Sequence, residues 1–353
     1  MKLRALRALL LASVLLAPVL LAPGKATAQQ VTLKANLQGV LTSPYGLSLS
    51  RFKAEVEKAS NGAIAVEIFD KGRLYTDGQV VDAVTTGAID IGTTATQQFA
   101  SKVPAVGIID MPFLFNFPTL VQAAAAPESD VRKLIDGAIL KQLGARVLWW
   151  QPLGDTVFFS KGFDVADPER LKGRTVAVPG KALEEAVARC GGKPAAVSVE
   201  RFHDSVRDGT TEMAMISMPG MLSWSLWKVT DTITYTAHSP VEFLLVINER
   251  RWQSLAPDHR DIIATAAKKV ERVMRGGLAE TEAKLHAFAA AKGMSIRTLT
   301  PDQVSEWRAC SAAMLADYME RNGEMAQRIM AAYAKLRTDA CCTAGPAGVF
   351  TRR

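Results

Sequence analysis

The sequence predicts an α/β protein with two α/β domains braced by one long helix. The chain has 353 residues, and at about 100–200 residues per domain this length accommodates two domains. Strand-like and helix-like segments alternate along most of the chain, which is the pattern of βαβ units. A helical apolar pattern then covers residues 258–292, about 50 Å at 1.5 Å per residue, which is long enough to brace both domains.

The first domain is predicted from a repeated succession of strands and helices. β-Branched and apolar residues alternate in the strand-like segments, and the helical pattern after the first strand stops at Asn61-Gly62. The predicted strands of this part are 31–37, 63–69, 89–94 and 146–150. We assign to the first domain residues 29–153, 241–257 and 293–340.

The second domain is predicted over residues 154–240, from a further series of the same units. Its clearest helix, 181–190, opens after Pro179-Gly180 and ends at Gly191-Gly192. Strands near 175–178 and 195–199 flank that helix. The strand 241–248 then returns to the first domain.

The C-terminal part is predicted to be helical. The long helix 258–292 contains Gly276-Gly277, a point at which it can kink or divide. Helices at 301–322 and 324–338 follow, and we expect residues 341–353 to form a loose tail.

The N-terminus predicts an export signal. Basic residues precede an apolar run, 9–21, that ends before the small triplet Ala26-Thr27-Ala28, so we predict cleavage after Ala28 and a periplasmic mature protein. The alternative is an uncleaved membrane anchor, but the run is shorter than the ~20 residues of a spanning helix and contains Pro18. Removal of residues 1–28 lowers the formal charge from +7 to +3, which argues against nucleic-acid binding.

The sequence contains no motif of a common catalytic or metal centre. The histidines lack helical metal-site spacing, and no nucleophile elbow, phosphate loop or dinucleotide fingerprint occurs. We therefore expect neither a cofactor, nor a metal, nor enzymatic activity. The four cysteines lack zinc or redox spacings, and two alternatives stay open: a disulfide from Cys310 to Cys341 or Cys342, or an incidental tail pair.

Several short motifs in a fixed order carry a resemblance to a known family. They are Phe52-x-x-x-Val56-x-x-x-Ser60-Asn61-Gly62, Val66-Glu67-Ile68-Phe69, Met111-Pro112-Phe113-Leu114-Phe115, Asp167-Pro168-Glu169-Arg170-Leu171-Lys172-Gly173 and Ile247-Asn248-x-x-x-Trp252. Over about residues 31–330 the chain resembles the dicarboxylate-binding (DctP-like) family of solute receptors for TRAP transporters. The resemblance implies two domains of periplasmic-binding-protein type that close on one small solute.

The resemblance also implies partners. The expected function is to deliver an organic solute to the small and large membrane subunits of a TRAP permease, with the receptor as a monomer. A periplasmic sensor that docks onto a signalling receptor is an alternative from another class. A periplasmic hydrolase or lyase is a weaker one, because it needs a reactive constellation that the sequence lacks.

The expected binding residues depart from the family pattern. Counting from Leu171-Lys172-Gly173, the position of the usual carboxylate-binding Arg is Ala177, and a second usual Arg corresponds to Thr156. Lys181 or Arg207 is the remaining candidate for a cation that reaches the cleft. The chain therefore predicts poor binding of C4-dicarboxylates and a neutral or cationic ligand held by an aromatic wall, with an aromatic acid held mainly by stacking as the alternative. The candidate ligand-binding residues are Thr94, Trp150, Asp155, Thr156, Phe158, Ala177, Pro179, Met213, Met215, Ile216, Trp224 and His238. A slip of one residue in these matches exchanges the pocket and core faces of a strand.

Overall fold

The structure is a computed structural model that describes residues 30–115, 118–236, 238–339, 343–344 and 350–351. The predicted signal peptide, 1–28, and both Cys341 and Cys342 lie outside the described residues. No helix in the described part is long and apolar enough to cross a membrane.

Thirteen strands occur in the described part of the chain. In order they are β1 Val31–Asn36, β2 Ile64–Phe69, β3 Ile91–Ala95, β4 Ala145–Asp155, β5 Val157–Ser160, β6 Thr175–Ala177, β7 Lys193–Ala195, β8 Met213–Ile216, β9 Thr232–Tyr235, β10 Pro240–Asn248, β11 Ser295–Thr298, β12 Thr343–Ala344 and β13 Phe350–Thr351.

Fourteen α-helices pack around these strands in the same part. They are α1 Pro44–Ala59, α2 Asp77–Thr86, α3 Thr96–Ala100, α4 Pro118–Ala124, α5 Asp130–Leu143, α6 Pro168–Leu171, α7 Lys181–Arg189, α8 Phe202–Arg207, α9 Met218–Ser223, α10 Glu249–Ser254, α11 Pro257–Gly276, α12 Leu278–Ala291, α13 Pro301–Ser311 and α14 Ala313–Asp339.

Two mixed sheets define two α/β domains, which confirms the predicted fold class. The first sheet has the order β2-β1-β3-β10-β4, and the second has the order β11-β9-β5-β8-β6-β7. β1 pairs in parallel with β2 and β3, whereas β10 is antiparallel to both β3 and β4. Helices supply the parallel crossovers, as the alternating sequence pattern predicts.

The chain crosses between the domains on two strand-to-strand connections. β4 of the first sheet continues through Thr156 into β5 of the second, and β9 of the second sheet continues into β10 of the first. Thr156 N–H donates to the Ser239 carbonyl at 2.9 Å, and the two hydroxyl oxygens are 3.3 Å apart. The crossing segments therefore lie side by side and form a two-stranded hinge.

The long helix predicted over 258–292 is divided at Gly277 into α11 and α12. α11 packs on α1 and β4 of the first domain, whereas Leu285 and Ala289 of α12 lie in a core of the second. The brace thus exists as two helices, one packed on each domain.

The sequence pattern assigned residues 293–340 to the first domain, but in the structure they are divided between the two domains. β11 pairs with β9 in the second sheet, and the Trp307 ring of α13 packs 5.7 Å from the Phe158 ring in the core of the second domain. Only α14 returns, where the Tyr318 hydroxyl donates to the Ala105 carbonyl at 2.9 Å. Helical periodicity identifies an apolar face but not the sheet that covers it.

The disulfide differs from the sequence alternative that paired Cys310 with Cys341 or Cys342. Cys310 of α13 is bonded to Cys190 at the end of α7, with Cα atoms 5.0 Å apart. The two residues are 120 positions apart in the chain, so no local spacing indicates that they meet.

Candidate functional site

A cavity lies between the two domains next to the hinge. Its volume is about 40 Å³, which is room for about three water molecules. Its aromatic lining residues are Tyr45, Trp224 and Phe243, and its polar ones are Gln38, Asp77, Gln97, Thr156 and Ser217. Aliphatic residues of both domains complete the lining, among them Leu153, Pro179, Leu183, Val199, Ile216 and Val241. A small apolar chamber with a few convergent polar groups is typical of a ligand site.

Asp77 is the only Asp or Glu among the described lining residues. It begins α2, after Thr76 and Gln79 form a capping box. Its Oδ1 accepts from the Thr94 hydroxyl at 2.6 Å, and its Oδ2 accepts from Gln98 Nε2 at 3.0 Å. Burial raises the pKa of Asp77 to about 6, and the nearby Glu200 carboxylate adds to the rise. The carboxylate is therefore held by neutral donors at a buried helix start.

Two hydrogen bonds cross the cleft between the domains. The Asp77 N–H donates to Glu200 Oε1 of the second domain at 3.3 Å, and the Tyr45 hydroxyl donates to Ser223 Oγ at 3.0 Å. Burial raises the pKa of Tyr45, so its hydroxyl stays a donor at neutral pH. These contacts connect the two domains across the cleft. The structure is therefore a closed arrangement of the domains.

Gly180 permits this closure. Its φ of +107° is a conformation that L side chains rarely adopt, and a Cβ there would lie 2.9 Å from the Cβ of Gln97 across the cleft. A side chain at this position would keep the domains apart.

Two buried polar atoms beside the cleft lack partners in the described structure. Gln38 Nε2 donates to the Tyr75 carbonyl at 3.3 Å, but its Oε1 has no hydrogen-bond partner. Gln97 Nε2 donates to Asp110 Oδ1 at 2.7 Å, while Asp110 Oδ2 has none, and burial raises the pKa of Asp110 to about 7. A buried polar atom without a hydrogen bond lowers the stability of the folded protein. Of the two side chains that carry these atoms, Gln38 lines the cavity.

No Lys, Arg or His lines the cavity among the described residues. Lys181 lines a neighbouring groove that shares Gln97 with the cavity. Arg207 is paired at the surface with Asp204 and Asp208. Residues that could hold a metal are also lacking, since the described part has no group of three potential metal ligands.

Of the twelve candidate residues, the structure places four in the cavity wall: Thr156, Pro179, Ile216 and Trp224. Thr156 reaches it from the hinge, and Pro179 from the end of the second-domain strand β6. Ile216 and Trp224 come from β8 and the end of α9. Three of these four lie on the second domain, and Thr156 is the connection to it.

Five candidates lie in protein cores instead of the cavity wall. Trp150 is buried in the first domain, where its Nε1–H donates to Asp136 Oδ1 at 2.8 Å. The other four are buried in the second domain: Phe158, Ala177, Met213 and Met215. In β8 the side chains alternate between two cores, so only Ile216 at the strand end meets the cleft.

The remaining three candidates are not among the residues that line the cavity. Thr94 supports Asp77, and Asp155 lies near Glu282 of α12, where burial and that neighbour raise the Asp155 pKa to about 7. His238 packs with ring centroids 4.9 Å from Phe113, and burial lowers its pKa to about 3. The neutral His238 ring, with Nδ1 2.5 Å from Thr236 Oγ1, is a packing residue of the hinge region.

Most of the first-domain wall is absent from the residues that the sequence predicted. Gln38 and Gln97 follow β1 and β3 closely, and in open α/β sheets ligands lie beyond the carboxyl ends of the strands. The capping box at Thr76 also marked the helix that Asp77 begins. The strand ends and the capping box are both readable in the sequence. The contact between Asp77 and Glu200, which are 123 residues apart, leaves no such signal.

Comparison with known proteins gives the same fold and a family. The family described as bacterial extracellular solute-binding protein, family 7 (DctP) matches residues 40–322. The C4-dicarboxylate-binding periplasmic protein DctP of Vibrio cholerae is 24% identical over 270 residues, which are 75% of this chain and 79% of that protein.

Solved structures share the two-domain fold. The receptor DctP7 of Bordetella pertussis, which binds pyroglutamic acid, gives a TM-score of 0.80 at 20% identity and covers 86% of this chain and 99% of its own. A TRAP periplasmic solute-binding protein of Sulfurospirillum deleyianum with bound succinate gives 0.78 at 22% identity, with the same coverage. The family match spans more than two thirds of the sequence, and so the resemblance noted in the motifs is confirmed: the chain belongs to the DctP family of TRAP-type solute-binding proteins.

Proposed function

We propose that the protein captures one small organic solute by closing its two domains and delivers it to the small and large membrane subunits of a TRAP permease. In this proposal the chain is exported, cleaved after Ala28, works as a periplasmic monomer and performs no chemical turnover. The observation that carries the proposal is the enclosed cavity beside a two-stranded hinge, with hydrogen bonds across the cleft from Asp77 and Tyr45.

The cavity has the features that capture by closure needs. Its lining comes from both domains, so only the closed arrangement completes it. The two crossing strands of the hinge are joined by the Thr156–Ser239 hydrogen bond. Related structures named for bound succinate, pyroglutamic acid and D-glucuronate support a small organic solute as the cargo class.

The primary test is ligand screening on the mature protein. A thermal-shift screen over organic acids, amines, polyols and aromatic compounds should find a ligand that raises Tm, because a ligand bound only to the folded state stabilises it. Small-angle scattering should then show a fall in the radius of gyration with that ligand. Chemical conversion of the ligand, seen by mass spectrometry, would contradict a receptor without turnover.

A pair of glycine variants tests closure itself. Gly180→Ala places a Cβ against Gln97 and should weaken ligand binding and prevent the compaction seen in scattering. Gly162→Ala introduces an alanine at a φ of +76°, where nothing lies within 4 Å of the added Cβ, and is the matched control for backbone strain. Equal ligand affinity in the two variants would contradict closure as the capture step.

A further inference from the structure

We infer that the solute of the interdomain cavity is a small organic cation, a compound with a protonated amine or a quaternary ammonium group. This inference rests on the proposed capture function and names its substrate class. Three independent observations carry it: the uncompensated negative charge at the cavity, an unpartnered buried acceptor in its wall, and the aromatic lining.

The carboxylates of Asp77 and Glu200 have hydrogen-bond donors but no cationic partner in the described structure. The Asp77 backbone N–H donates to Glu200 Oε1 across the cleft, and no Lys or Arg of the described residues forms an ion pair with either carboxylate. The partners of the Asp77 carboxylate are neutral groups, and Arg201, which follows Glu200, lies 4.0 Å from Asp204 instead. Buried charges in proteins are normally paired, so a cation from outside the chain is the missing partner.

Gln38 provides the second observation. It is 2% exposed and lines the cavity, and its amide is oriented by the Nε2–H donated to the Tyr75 carbonyl. The Oε1 acceptor that remains has no donor in the described structure. A protonated amine supplies N–H donors and positive charge together, and choline supplies a hydroxyl donor beside its charge, whereas a carboxylate supplies neither.

The aromatic lining provides the third observation. The Tyr45 and Phe243 rings lie 5.4 Å apart on the first domain, and Trp224 lines the cavity from the second. Aromatic faces attract organic cations, most strongly where water is excluded. An organic carboxylate finds no such partner here, because the described cavity lining has no Lys, Arg or His and Lys181 lines the neighbouring groove.

The first experiment compares ligands of equal size and different charge. Ethanolamine, ethylene glycol and glycolate are near-isosteres that carry positive, zero and negative charge, and choline and succinate extend the two charged classes. We expect ethanolamine or choline to raise Tm and to bind in calorimetry at least about tenfold more tightly than ethylene glycol, the gain of a charge-assisted bond. Glycolate and succinate should give no heat of binding.

The second experiment removes the negative charges. Asp77→Asn should weaken binding of the cation by about tenfold to a hundredfold, and Glu200→Gln by a smaller factor, because Glu200 is only half-buried. Asp82→Asn, on the exposed side of the same helix, is the matched control and should leave affinity unchanged. If Asp77→Asn fails to fold, Glu200→Gln still tests whether the negative charge contributes to binding of the cation.

The outcomes separate the inference from the function it rests on. Binding of succinate or glycolate with domain closure, abolished in Lys181→Gln, would overturn the cationic class and leave solute capture intact. Cation binding that is unchanged in both Asp77→Asn and Glu200→Gln would overturn the assigned site. Failure of every compound in the broad screen to bind or to compact the protein would overturn both the substrate class and the capture function.

Discussion

Glu242 and Arg275 face each other inside the first domain without a hydrogen bond between them: Glu242 Oε2 lies 3.6 Å from Arg275 Nη2, and neither carboxylate oxygen has a hydrogen-bond partner in the described structure. Arg275 instead donates to Glu271 Oε1 and the Trp150 carbonyl. Glu242 is in the hinge strand β10, and Arg275 is in the last turn of α11. An under-satisfied carboxyl thus lies between the hinge and the divided brace.

Replacing Glu242 should change how stability depends on pH. Burial raises the pKa of Glu242 from 4.5 to about 7, against the opposing effect of Arg275, so the folded state holds a proton that the unfolded state releases. The stability that this proton contributes is fully present below pH 4.5 and is lost as the pH rises through about 7. Urea unfolding of Glu242→Gln should show a flatter pH profile between those values than the unmodified protein.

A matched variant controls for the removal of a charge. Glu67→Gln changes an exposed glutamate on β2 of the same domain and should reproduce the unmodified pH profile. Parallel profiles for Glu242→Gln and the unmodified protein would contradict a protonated Glu242.

Trp224 and Trp227 lie three residues apart and should respond differently to truncation. Trp224 lines the cavity, and Trp227 packs edge-on to Phe288 with Lys292 over its ring, away from the cleft. Trp224→Ala should weaken ligand binding by about threefold to thirtyfold, the loss of one aromatic contact to a cation. Trp227→Ala should lower Tm and leave calorimetric affinity unchanged, and the reverse result would place the ligand elsewhere.

Ala177→Arg should fail to create a carboxylate site. Ala177 is fully buried in β6, so a guanidinium there enters the second-domain core as an unpaired charge and should cost about 3–5 kcal/mol of unfolding free energy. Ala195→Arg, opposite Ala177 in the ladder but on the partly exposed edge strand β7, is the control. Succinate binding gained by a stable Ala177→Arg protein would show that this position faces the cavity.

The disulfide gives a prediction that distinguishes three pairings. Peptide mapping of the unreduced protein should recover Cys190 linked to Cys310, and not Cys310 linked to Cys341 or Cys342. The double variant Cys190→Ser, Cys310→Ser should lose about 2–5 kcal/mol in urea unfolding. Single cross-links from Cys310 to the tail would contradict the observed pairing.

The sequence alone determined the architecture and the family. Alternating strand and helix signals depend on contacts within a few residues, so the βαβ units and the weak point at Gly276-Gly277 were readable. The order of the short motifs identified the family, because it follows the order of the βαβ units along the chain. The exposed strand β11, with only Ile296 apolar, carried no such signal and was missed.

The tertiary structure alone decided which residues meet at the cleft. A shift of one residue along β8 separates Met215 in a core from Ile216 in the cavity wall, and local pattern does not fix which face a fully buried strand turns to the ligand. Asp77 and Glu200 are neighbours because the two domains close about one hinge, and Cys190 and Cys310 are neighbours because α13 packs on α7 of the second domain. Such contacts depend on how whole domains pack, and no spacing along the chain records them.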